Sequence, residues 1–214
     1  MLGLIWRAKL SQRGALLSPT ERNIWLERWQ WVKARTQDGF YITPEGTEHS
    51  WLDTFYFSKP DSSAYSQGIY AATAIAAQKM FLENDYQLIE AAAKAYRSLT
   101  HSSGRLQLSR ELAYFDASSV FGDFLAIHCF DQRLLENETA IKTASSLPQT
   151  QFGTKVVAKE DGSYLFSLEF SRLYQPGDYQ NGGYWPTWGA IAQATAEIHG
   201  AKHDRSFWQN MFAR

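Results

Sequence analysis

Cysteine is nearly absent from this chain: Cys129 is the only one among 214 residues. A lone thiol excludes an intramolecular disulfide and a zinc site built on cysteines, and its expected place is the core, as a small apolar side chain. Net charge is equally scarce, because 21 basic residues face 22 acidic ones and leave −1. With no run of like charges there is no electrostatic footprint for a polyanion, so no nucleic acid is expected as a partner. Long apolar runs are missing too, and the first ten residues, with Arg7 and Lys9, are too short and polar for a signal-peptide core or a membrane span. No membrane partner is expected, and the expected compartment is the cytoplasm. The histidines His49, His101, His128, His199 and His203 share no metal-ligand spacing. His199 and His203 stand four apart but lack a third ligand and the glutamate of a zincin helix. No metal and no cofactor are expected. No serine elbow occurs, and Cys129 falls within a helical pattern, so acyl transfer has no starting point.

Aromatic residues, by contrast, are plentiful: 15% of the chain, with 8 Trp and 11 Tyr. Helix packing consumes many of them, but polar-tipped rings in loops suit a flat apolar face with a hydrogen-bonding edge, which is what a sugar ring presents. The 44% of apolar residues suffice for a real core, and the length sits at the upper edge of a single domain.

Residues 1–12 read as a helix stopped near Gly14, and Ser18-Pro19-Thr20-Glu21 opens a second helix to about Arg35, with Trp25, Trp29 and Val32 on one face. Gln37-Asp38-Gly39 ends it, and Phe40-Tyr41-Ile42 is a short extended piece. A helix from about Ser62 to Leu82 carries Gly68, Ala71, Ala72, Ala74 and Ala77, which permit close approach of a neighbour. Asn84-Asp85 breaks it, and Tyr86–Leu99 forms a helical hairpin with it. Arg105–Arg110 alternates weakly like a strand. Asp116 is expected to cap a helix running to about Phe130, and Asn137–Ser146 forms another. Phe152–Phe170, split by Glu160-Asp161-Gly162-Ser163, reads as a β-hairpin, and a last helix runs to about His199. Helix, short turn, helix and decorated loop recur without a fixed period, which predicts an all-α array of helical hairpins.

Two loops stand out. Gly46-Thr47-Glu48-His49-Ser50-Trp51-Leu52-Asp53 sets a carboxylate beside an indole ahead of the alanine-rich helix. Pro176-Gly177-Asp178-Tyr179-Gln180-Asn181-Gly182-Gly183-Tyr184-Trp185-Pro186 delivers glycines, amides and aromatic rings into a helix start. That suits a neutral polyhydroxylated ligand, and the glycine spacing is wrong for a phosphate loop.

On these residues the chain resembles the six-hairpin (α/α) toroid glycosidases, the group of glycogen-debranching amylo-1,6-glucosidases, neutral invertases and processing α-glucosidases. Ser50-Trp51-Leu52-Asp53 is similar to the Trp-Met-Asp signature whose Asp is the general acid in the debranching group. Tyr179-Gln180-Asn181-Gly182-Gly183-Tyr184-Trp185-Pro186 resembles the Asn-Gly-Gly loop of the invertases. Lys59-Pro60-Asp61-Ser62 departs from the debranching pattern, and the partner carboxylate in these families lies beyond the Asn-Gly-Gly helix. The resemblance implies an (α/α) toroid with a small β-hairpin excursion and an inverting glycoside hydrolase acting on α-glucosides or oligosaccharides. Asp53 would be its general acid, with Trp51, Asp178, Tyr179, Gln180, Asn181, Gly182, Gly183 and Trp185 lining the carbohydrate site. Twelve helices and their connections need roughly 200 residues before any long loop, so residues 1–214 are expected to be a single catalytic-type domain lacking N-terminal hairpins and the final C-terminal part. Two alternatives remain open, a carbohydrate-binding or interaction module without activity and a sugar epimerase on the same toroid. Asp53 itself also reads as a loop-capping carboxylate.

Overall fold

A computed structural model describes residues 1–42, 63–81, 85–150, 153–165, 175–177 and 181–212. The chain begins with α1 (Leu2–Gln12) and α2 (Pro19–Lys33), turns through β1 (Thr36–Gln37) and β2 (Phe40–Tyr41), and continues in α3 (Ala64–Phe81) and α4 (Tyr86–Arg97). Next come β3 (Phe115–Asp116), α5 (Phe121–Phe130) and α6 (Asn137–Ser146), then β4 (Gln149–Thr150), β5 (Gly153–Thr154), β6 (Val157–Ala158), α7 (Pro186–Ile198) and α8 (Arg205–Phe212). The architecture is mostly helical, as expected, with eight helices and three antiparallel two-stranded pairs, β1–β2, β3–β6 and β4–β5, among the described residues. None of the described helices is long and apolar enough to cross a membrane.

The start of α2 follows its sequence signature. Ser18 Oγ accepts from the Glu21 amide at 3.2 Å while a Glu21 carboxylate oxygen accepts from the Ser18 amide at 2.9 Å, a reciprocal capping box with Pro19 at the first helical position. Trp29 and Val32 are buried beneath it, and Trp25 half-buried. Asp85 caps α4 by accepting from the Leu88 amide.

Helix α3 is the centre of the core. Every residue of it is buried except Tyr65, Gln78, Lys79 and Met80, and α1, α4 and α5 pack around it. Its small residues allow this. A Cβ added to Gly122 of α5 would stand 1.9 Å from the backbone carbonyl carbon of Gly68, so the two helices cross backbone against backbone. Buried Gln67 ties a third layer to α3: its Oε1 accepts from the Tyr41 amide, and its Nε2 donates to the carbonyls of Gly39 and Ala92. Cys129 is buried in the same core.

Four segments differ from their sequence reading. Thr36–Gln37 and Phe40–Tyr41 form a hairpin around Asp38-Gly39, whose positive φ values of 52° and 82° are those of a two-residue type I′ turn; this turn does more than end a helix. Residues 105–110 form no strand. Leu106 makes a single antiparallel bridge to Thr100, with the His101 amide donating to the Arg105 carbonyl and the Gln107 amide to the Leu99 carbonyl, while the Leu106 amide donates to Thr143 Oγ1 and the Leu108 amide to the Tyr114 carbonyl. Asp116 does not cap α5, which begins at Phe121 without a side-chain cap. It belongs to β3, and its side chain closes a turn onto Ser118 instead. The Glu160-Asp161-Gly162-Ser163 turn does form, with the Lys159 amide donating to the Ser163 carbonyl. Among the described residues, however, Val157–Ala158 pairs with β3 and not across that turn, while residues 151–152 and 166–174 lie outside the description. Helix α8 is an addition to the segments read from the sequence. Glu197 near the end of α7 anchors it, accepting from Trp208 Nε1, Gln193 Nε2 and the Asp204 amide. Burial pushes the Glu197 carboxyl up, but hydrogen bonds from His203, Gln193 and Trp208 outweigh it and hold it at about 2.

Candidate functional site

The first turns of three helices meet at one place. Tyr65 of α3 stacks on Phe121 of α5 with centroids 5.8 Å apart and planes 9° from parallel. Trp188 of α7 stands edge-on to both, 5.8 Å from Tyr65 and 5.3 Å from Phe121. The Gly68–Gly122 contact sets this geometry, because each glycine lies within one turn of the ring on its own helix. All three rings are half-buried, forming an apolar wall that is only partly covered.

Strand β3 brings a carboxylate to the same end. Asp116 pairs with Val157 of β6, the neighbouring Ala117 amide donates to the Val156 carbonyl, and the Val156 amide donates to the Gly183 carbonyl. A bridge between Lys155 and Tyr184 extends the stitching. The strand holding Asp116 is thus separated from the glycine loop by one strand. Asp116 is fully buried. Its Oδ1 accepts from the Ser118 amide at 2.8 Å and from Ser118 Oγ at 2.6 Å, whereas its Oδ2 has no hydrogen-bond partner among the described residues. Burial raises this carboxyl to about 6, against the lowering effect of the Ser118 hydroxyl and amide. The Tyr65 phenol is raised by its own burial and then by the charge of Asp116.

The expected site residues are distributed as follows. Trp51, Asp53, Asp178, Tyr179 and Gln180 lie outside the described residues. Asn181 is buried, and its amide is engaged by the backbone: Oδ1 accepts from the Leu165 amide at 3.0 Å and Nδ2 donates to the Leu165 carbonyl at 3.1 Å. Gly182 has φ +77°, and a Cβ there would stand 2.6 Å from the Tyr164 ring, so the position requires glycine. Gly183 offers its carbonyl to Val156, and half-buried Trp185 is the N-cap of α7. The Gly177 amide donates to the Asn181 carbonyl at 2.8 Å, so the two ends of the 178–180 loop are bonded to each other. The described part of the glycine loop is therefore scaffolding that fixes the entry to α7. Sequence reasoning took Asp116 as a helix cap and did not single out Phe121. The available signal was an aromatic residue in the first turn of each of three helices.

A second buried carboxylate, Asp123, lies in the first turn of α5 beside Phe121. Asp123 Oδ2 meets His199 Nε2 at 2.7 Å, and Asp123 Oδ1 accepts from the Leu134 and Leu135 amides. His199 Nδ1 faces Asn137 Oδ1 at 2.8 Å, an oxygen that also accepts from Arg133. Helix α7 consequently lies across the first turn of α5, reaching Phe121 through Trp188 and Asp123 through His199. A cavity of about 490 Å³ between α1 and α2, lined by Trp25, Trp29, Trp31 and Val32, sits on elements that carry none of the expected site residues. Among the described residues, no three His, Cys, Asp or Glu side chains are grouped to hold a metal ion. No family model, curated protein or solved structure matches the chain significantly.

Proposed function

We propose that this chain is part of an (α/α) toroid glycoside hydrolase that acts on neutral α-glucosides or oligosaccharides by an inverting acid/base mechanism. One observation carries the reading. The two helices entered from the Trp51–Asp53 loop and from the Asn-Gly-Gly loop, α3 and α7, meet ring to ring at Tyr65 and Trp188 beside a buried carboxylate. A sugar site needs apolar ring faces and polar edges in one place, and two loops far apart in sequence feed helix starts that satisfy the first requirement together. In this reading Asp53 protonates the leaving glycosidic oxygen, and a second carboxylate about 6.5 to 9.5 Å away activates the attacking water.

The test is an assay of the complete enzyme, with the partner carboxylate that the reading requires, for sugar released from α-linked oligosaccharides, with Asp53→Asn as the variant. General-acid loss is expected to lower turnover about 10² to 10⁴ fold on unactivated glycosides, and far less on substrates with activated leaving groups, with folding intact. Equal rate losses on both substrate types would remove Asp53 from that role. Saturable binding of oligosaccharide without any turnover would leave a carbohydrate-binding module as the function.

A further inference from the structure

We infer that Asp116 is a direct sugar ligand, its Oδ2 accepting from a hydroxyl of a neutral sugar ring that rests against Tyr65 and Trp188. The inference rests on the carbohydrate reading above and adds a residue and a charge preference to it. Asp116 Oδ1 is fixed twice by Ser118, and the strand that carries it is paired on β6, so the carboxyl has a defined orientation. Its other oxygen is buried with no partner, a costly arrangement for a fold to retain unless something completes it. Among the described residues, no cationic side chain hydrogen-bonds to this oxygen. The missing partner must therefore bring a hydrogen-bond donor without negative charge. A sugar hydroxyl does so, whereas a uronate or a sugar phosphate would place like charge against a buried carboxylate. The neighbouring rings supply the other half of sugar recognition, half-covered apolar faces in a fixed T-shaped arrangement.

The experiment is calorimetric titration of the full chain with maltotriose, isomaltotriose, sucrose, glucuronate and glucose 6-phosphate, repeated with Asp116→Asn. The variant keeps the shape and the Ser118 contacts but cannot ionise. Binding of at least one neutral sugar, absent for the two anions and weakened at least about tenfold in the folded variant, is the expected result. Equal affinity in wild type and variant would mean that Oδ2 holds only a structural water, and would overturn the inference while leaving the hydrolase reading intact. Failure of the wild type to bind any of the neutral sugars overturns both. If Asp116→Asn does not fold, monodeoxy analogues of the bound sugar take its place on the wild-type chain. Removal of one particular hydroxyl should then weaken binding about tenfold, and uniformly small losses across the series would overturn the inference.

Discussion

Asp116 and Asp123 are both fully buried, seven residues apart and on either side of the start of α5, yet their surroundings differ. Asp123 has every oxygen engaged: two backbone amides on Oδ1 and the His199 ring on Oδ2. Asp116 has one oxygen held twice and the other held by nothing among the described residues. A buried charge whose hydrogen bonds all close within the fold does a structural task, joining the return loop after α5 to the end of α7. One left half-closed beside partly covered rings is the kind of group that waits for a ligand. Burial alone does not distinguish the two, and the count of satisfied oxygens does.

The largest effect should come from breaking the closed pair. Asp123→Ala removes the acceptor of two backbone amides and leaves Nε2 of the buried His199 ring without its partner, so urea unfolding should show a loss of about 3 to 5 kcal/mol. A loss below about 1 kcal/mol, the scale of an exposed ion pair, would show that the pair is solvated and would collapse the contrast with Asp116.

The second effect has the opposite character, because at Asp116 removal of the charge should help. The carboxyl titrates at about 6 in the folded chain against 3.8 in the unfolded one. Between those values the folded chain holds a proton that the unfolded chain has lost. This group's contribution therefore falls as pH rises through the window, by about 3 kcal/mol in all. Asp116→Asn lacks the titration. The stability difference between variant and wild type, measured by urea unfolding from about pH 4 to about pH 6.5, should shift in favour of the variant by about 2 kcal/mol, most of that amount. A difference that stays constant over this range would show that the carboxyl is better solvated than its burial implies.

The smallest expected effect sharpens the comparison by moving the site without touching either carboxylate. Gly122→Ala drives a methyl group into the Gly68 backbone, which should cost about 1 to 3 kcal/mol through overpacking. It should also part Tyr65 from Phe121, visible as a loss of near-ultraviolet circular dichroism. Wild-type stability with an unchanged aromatic signal would mean that the crossing of α3 and α5 does not set the ring geometry.

Several features were legible in the sequence because their causes are local. Ser18-Pro19-Thr20-Glu21 carries its own capping box, and the observed α2 begins there. The small residues of the alanine-rich segment announced a helix that others could approach closely, and α3 is that helix. Asp38-Gly39 was recognisable as a turn from its residue types, but that it folds Thr36–Gln37 onto Phe40–Tyr41 emerged only in the structure.

The site divides in the same way. From the sequence by itself came the mostly helical class, the two aromatic loops and the helices they enter, since turn residues, caps and apolar period act over a few neighbours. Tertiary structure alone decided that Asn181 spends its amide on Leu165, that Asp116 is a strand residue with an open oxygen, and that His199 pairs with Asp123 across 76 residues. Those outcomes depend on which distant backbone groups and rings arrive beside each side chain. Hydrogen-bond completion and the dielectric around a carboxylate are properties of that assembly, and no local pattern of residues encodes them.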